Sequence, residues 1–176
     1  MPSCLTPDRA LEKVLRISRL NGWSVVVLAG CCTLVTVLIG DWTGILVGLL
    51  VVASGLMEVR GNRMLRRRNA AGVSWLIRAQ VFLLGVILVY ASVRIVGFDR
   101  EFAAQNFSPL MRTALEQLEL SLEDLLLLVR LAVRGFYGAV MLGACLYQGG
   151  LALYYRKRQA LVELALAAPP AIASGT

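Results

Sequence analysis

Glu58 and Arg78 intrude into two long apolar runs, and any chemistry in this chain would begin with them. An ionisable side chain inside a membrane span is costly to hold there, so each is by default a candidate functional group. Their depths match. Glu58 lies seven residues beyond Val51, the middle of its run, and Arg78 lies seven before Gly85, the middle of its own. In an antiparallel hairpin both stand about 10 Å from the midplane, at a rise of about 1.5 Å per residue. The expectation is an intramembrane ion pair that neutralises both charges and sets helix rotation; snorkelling to the interface and a conduction or coupling site are the competing roles. Gln80, Tyr90 and Gln148 are the other polar groups within the runs, too few to sketch a water-filled path.

The rest of the inventory excludes more than it offers. Histidine is absent, which removes the commonest general base and the commonest metal ligand together. Cys4, Cys31, Cys32 and Cys145 show no C-x-x-C spacing, and three of them sit inside apolar runs as small apolar residues. Asp41, Asp99 and Asp124 are scattered, so no paired-aspartate site forms. No catalytic constellation, cofactor or metal is expected, and the chain does not read as an enzyme. Leu28-Ala29-Gly30-Cys31 resembles the lipobox of bacterial lipoproteins over those four residues, but apolar sequence continues through Cys32 to Ile39 and places Cys31 in mid-helix.

The elements that hold these residues follow from composition. Of 176 residues, 58% are hydrophobic and only 16% charged, with a mean hydropathy of +0.71, so the bilayer is the expected solvent. The net charge of +7 lies at the ends of apolar segments. That points to anionic lipid and not to nucleic acid, which needs a basic soluble face. Four segments approach the roughly 20 residues that cross a hydrocarbon core: 23–40, 42–60, 73–96 and 135–155. Gly40-Asp41 makes a tight turn between the first two. The predicted fold is an all-α integral membrane protein with four transmembrane helices.

Arginines and lysines set its orientation, because positive residues are retained on the cytoplasmic side. Arg9, Lys13, Arg16 and Arg19 precede the first segment; Arg60, Arg63, Arg66, Arg67 and Arg68 follow the second; Arg156, Lys157 and Arg158 follow the fourth. All fall on one side, so both termini are expected inside, in a plasma membrane, the inner one in a bacterium. The last two clusters are read as topological locks that also bind lipid head groups. Trp23, Trp75, Tyr154 and Tyr155 mark the inner interface, and Trp42, Phe98, Phe136 and Tyr137 the outer one.

Two helices are expected outside the bilayer. Residues 1–22 read as an amphipathic basic leader lying in the interface, started by Thr6-Pro7-Asp8. Residues 108–130 carry Met111, Leu115, Leu118, Leu122 and Leu125 in steps of four and three. That is a heptad seam for association, on an outer helix that can run unbroken into the fourth segment. Residues 159–176 form a cytoplasmic tail, leaving 23–158 as the membrane domain.

Gly44 and Gly48 form a G-x-x-x-G with Gly55 near the same face, a strip that lets helix backbones approach in lipid. Ala139 and Gly143 make a comparable strip in the fourth helix, and the simplest internal solution packs one on the other. The functional expectation is a small multi-pass membrane protein acting as a non-catalytic accessory, assembly or scaffold subunit, in a homo-oligomer or with a membrane-protein partner. The alternative is a small oligomeric channel or transporter that uses Glu58 and Arg78.

Overall fold

The computed structural model describes residues 6–97 and 122–168. Within them the chain is helical: α1 (Pro7–Ile39), α2 (Trp42–Arg66), α3 (Ala71–Val96), α4 (Leu122–Ala144) and α5 (Gly150–Ala167). A π-helical stretch, Cys145–Gly149, joins the last two. Four helical stretches are long and apolar enough to cross a membrane, the fourth running from Glu123 to Ala167. The chain is thus built as a membrane helical bundle. Met111, Leu115 and Leu118 lie outside the described residues, while Leu122 and Leu125 fall in the first turn of α4, the same helix that forms the fourth span.

The helix ends are set by local chemistry. Gly40 adopts φ 78° and ψ 20°, a left-handed conformation that costs glycine nothing. Its N–H donates to Val37 O, and the Asp41 N–H to Thr36 O at 3.0 Å, which satisfies the last carbonyls of α1 in a Schellman closure. Asp41 then caps α2 by accepting from Thr43 N at 3.1 Å, so the expected Gly-Asp hairpin turn is a paired C-cap and N-cap. The α2–α3 turn repeats the closure with Arg68 at φ 58°: Arg68 N donates to Leu65 O and Asn69 N to Met64 O. Asn69 Oδ1 accepts from Ala71 N to start α3.

The chain divides into two compact units, one formed by residues up to Val86 together with those from Cys145 onward, the other by Ile87–Ala144. The first contains a core of Val14, Leu65, Val73, Leu76, Tyr155 and Val162. These six come from α1, α2, α3 and α5 and sit at the arginine-rich end of the bundle. In the second unit Tyr137 receives a hydrogen bond from Arg94 Nε at 3.3 Å and meets Tyr90 edge-on at 6.0 Å.

Residues 7–22, expected as part of a separate interfacial leader, are continuous with the first candidate span. α1 is one helix of 33 residues, about 50 Å long against a hydrocarbon core of about 30 Å. Its surplus turns bury Ala10, Val14 and Ser18 at 0–1% exposure, against protein and not lipid. Gly22 costs that helix about 1 kcal/mol, and the close α1–α2 crossing described below explains its presence. The expected tail differs in the same way: α5 continues to Ala167 and buries Val162 and Ala165.

Candidate functional site

A polar cluster occupies the interior of the first unit, and Glu58 is its centre, 2% exposed. Asn21 Nδ2 of α1 donates to Glu58 Oε2 at 2.6 Å. The Tyr155 hydroxyl of α5 donates to Oε1 at 3.0 Å, and the Gln80 side chain of α3 supplies a further hydrogen bond. Asn21 is oriented in turn by Tyr147, whose hydroxyl donates to Asn21 Oδ1 at 2.9 Å. The carboxylate therefore meets donors from three other helices, and one of them is held by a residue of the π-helical stretch. Neutral donors stabilise a buried carboxylate through hydrogen bonds that are shorter and stronger than neutral pairs.

One α-helical turn further along α2, Asn62 continues the cluster. Its Nδ2 donates to Leu15 O at 2.7 Å and to Ser18 Oγ at 2.6 Å, and its Oδ1 accepts from Arg66 Nε at 3.1 Å. The cluster thus runs from the buried carboxylate to the arginines of the α2 end.

Two glycine crossings place these side chains. A Cβ on Gly55 would stand 2.7 Å from Val26 Cγ2 and 3.1 Å from Gly22 O, and one on Gly72 would stand 2.6 Å from Gly61 O. Real Cβ atoms do not come as close as the Gly72–Gly61 approach and rarely as close as the Gly55–Gly22 one, so glycine lets the backbone of α1 approach on one side of Glu58 and that of α3 on the other. Gly55 and Gly61 are each three residues from Glu58, and the Gly22–Gly55 approach brings Asn21 of α1 to 2.6 Å from its carboxylate. The π-helical stretch adds its own adjustment. An i→i+5 turn inserts a residue relative to the α-helix and shifts which face later residues occupy, so that Tyr147, Gln148 and Tyr155 all serve the same unit.

Arg78 is not part of this site. It is exposed, and Glu58 is satisfied by Asn21, Tyr155 and Gln80. The expected Glu58–Arg78 ion pair is therefore replaced by a carboxylate among neutral donors. Matching depth along two helices carries no information on helix rotation, which the glycine crossings decide. Tyr155 departs from its expected interfacial role as well: at 1% exposure it is a core residue with a working hydroxyl.

Two buried amide oxygens, Gln80 Oε1 and Gln148 Oε1, have no hydrogen-bond partner. Asn21 and Tyr155 are the functional residues that sequence reasoning missed. Asn21 carried a signal, since Ala10, Val14, Ser18 and Asn21 recur at helical spacing and place a polar residue on the buried face of α1.

The glycine strip of α2 packs within the chain, against α1. A Cβ on Gly44 would meet Thr36 Cγ2 at 2.6 Å, and one on Gly48 would meet the Thr33 hydroxyl. For Gly135, Gly138 and Gly143 of α4, no described atom comes within 4 Å of such a Cβ, and Ala139 is exposed. The basic residues separate into distinct roles. Arg60 stacks over Trp75 at 5.2 Å and Arg158 over Tyr154 at 4.6 Å. Arg68 Nη1 donates to Ala168 O at 2.7 Å, tying the α2–α3 turn to the end of α5. Arg67, Arg156 and Lys157 are exposed, and Arg63 and Arg66 line a cleft with Arg19.

No group of three or more potential metal ligands occurs among the described residues. The cluster can hold a negative charge, or a proton in its place, inside an apolar surrounding. No protein-family model, curated protein or solved structure matches this chain, so its class is defined by the fold alone: a helical membrane protein with four candidate spans.

Proposed function

We propose that this chain is a non-catalytic accessory or assembly subunit of a membrane complex, a homo-oligomer or a pairing with another membrane protein. In this reading the termini and the Arg60–Arg68 turn lie on the cytoplasmic side of a plasma membrane, the inner one in a bacterium. One observation carries it. The chain fills the Gly44–Gly48–Gly55 strip with its own α1, yet on α4 no described atom covers Gly135, Gly138 or Gly143. Inside lipid, helices gain little from hydrophobic drive, and flat small-residue faces are where a second helix packs closely. The test is cross-linking in native membranes of a variant with Ala139→Cys and serine at Cys4, Cys31, Cys32 and Cys145. A cross-linked dimer or heterologous adduct that Gly143→Leu abolishes supports the reading. A species that stays monomeric at all protein-to-lipid ratios refutes it.

A second reading, a small oligomeric channel or transporter, is favoured by the Glu58 cluster. A carboxylate with no cationic partner among the described residues, beside Gln80, whose Oε1 has no donor there, suits uptake of a proton or small cation. Under that reading Glu58→Gln abolishes uptake into proteoliposomes; under the first, no such flux exists to abolish.

A further inference from the structure

The face of the α1–α2 pair where the Glu58 cluster ends, at Asn62 and Arg66, holds a cleft whose two halves differ in character. The first, of about 180 Å³, is lined by Arg19, Trp23, Val59, Asn62, Arg63 and Arg66. The second, of about 340 Å³, adjoins it through Trp23, Val59 and Arg63 and adds Val26, Leu56 and Arg60. Among the described residues no acidic side chain lines either half. Guanidinium groups gathered in this way repel one another unless an anion lies between them, and arginine matches phosphate oxygens with paired N–H donors.

The basic half is also pre-arranged. Arg66 Nε is held by Asn62 Oδ1, and Asn62 is anchored on Leu15 O and Ser18 Oγ of α1. Arg19 comes from the other wall, so the two helices present cations to one space. Below them Val26, Leu56 and Val59 offer an apolar surface continuous with the membrane-facing side of α1 and α2, where Val27 and Leu56 are over half exposed. Trp23, 51% exposed, stands at the boundary between the halves, the level indole prefers in a bilayer.

We propose that this cleft is a binding site for one anionic phospholipid. Arg19, Arg63 and Arg66 take the phosphate oxygens, Trp23 lies beside the glycerol esters, and Val26, Leu56 and Val59 receive the start of an acyl chain. A free phosphate shares the head-group chemistry but leaves the apolar half unfilled, and this selects the lipid. The proposal is independent of the association reading, because none of these residues lies on α4. It also separates the cleft arginines from Arg67, Arg156 and Lys157, which face solvent and give no shaped site.

The experiment uses Trp23 as the reporter, in the full chain carrying Trp42→Phe and Trp75→Phe. The protein is placed in phosphatidylcholine nanodiscs containing a small fraction of lipid brominated on its acyl chains. Brominated phosphatidylglycerol should quench Trp23 with an apparent affinity roughly tenfold or more above that of brominated phosphatidylcholine, given cationic side chains that each favour anionic lipid. Inorganic phosphate should not reverse the quenching. Arg63→Gln with Arg66→Gln should remove the preference, while Arg67→Gln with Lys157→Gln should keep it. Equal quenching by the two lipids overturns the proposal, as does reversal by inorganic phosphate, which would assign the cleft to a soluble anion. The comparison between lipids is made on the unmodified cleft, so it stands even if the double arginine variant fails to fold.

Discussion

Removing the Tyr155 hydroxyl tests the reassignment of Glu58 most directly. Tyr155→Phe keeps the ring, which is 1% exposed and therefore stays packed, and deletes the donor that stands 3.0 Å from Glu58 Oε1. A hydrogen bond to a charged acceptor contributes about 1.5–3 kcal/mol, a neutral one about 1 kcal/mol, and measured side-chain bonds inside membrane bundles average about 0.6 kcal/mol. Glu58 retains Asn21 and Gln80, so the lower end of the charged range applies, and Tyr155→Phe is expected to cost about 1.5 kcal/mol. In a Glu58→Gln background the same change should cost about 0.6 kcal/mol, a coupling of about 1 kcal/mol. The parallel cycle of Glu58→Gln with Arg78→Gln should show a coupling below about 0.5 kcal/mol, because Arg78 is exposed and the pair shares no contact. Reversible unfolding of the protein in mixed micelles, followed by helical circular dichroism, measures all four corners of each cycle. Coupling above about 1 kcal/mol for Glu58–Arg78, with none for Glu58–Tyr155, would refute the neutral-donor site and restore the ion pair.

Arg68 sits at a left-handed position, which costs an L-residue with a Cβ about 1–2 kcal/mol; Arg68→Gly should therefore be more stable than Arg68→Ala by about 1 kcal/mol in the same unfolding assay, both having lost the bond to Ala168 O. For orientation, a single cysteine at exposed Asn69 should react with a membrane-impermeant maleimide only after permeabilisation, and one at exposed Thr43 should react in intact cells, as the positive charge bias requires; the opposite pattern would invert the proposed topology.

The legible parts of this protein are those governed by position along the chain. Apolar runs long enough to cross a bilayer, and the Gly40-Asp41 break between the first two, follow from one-dimensional rules: hydropathy, length and the φ freedom of glycine. The single helix that carries Leu122, Leu125 and Val129 into the fourth span likewise follows their helical spacing.

What the sequence could not decide is azimuth and partnership. Whether Glu58 meets Arg78 or Asn21 depends on helix rotation, and that is set by backbones closing at Gly22–Gly55 and Gly61–Gly72 and by the shift of face across Cys145–Gly149. The basic residues before Trp23 looked amphipathic enough to lie on a membrane, because a stripe of Ala10, Val14 and Ile17 suits a lipid surface and a protein core equally well. Only the presence of Leu65, Val73, Leu76 and Val162 around that stripe makes it a core. Sequence by itself determined that the described residues carry four helical stretches long and apolar enough to cross a membrane. The tertiary structure decided which side chains meet, because contact depends on rotation and close approach in three dimensions, and no pattern along one helix records where its neighbours stand.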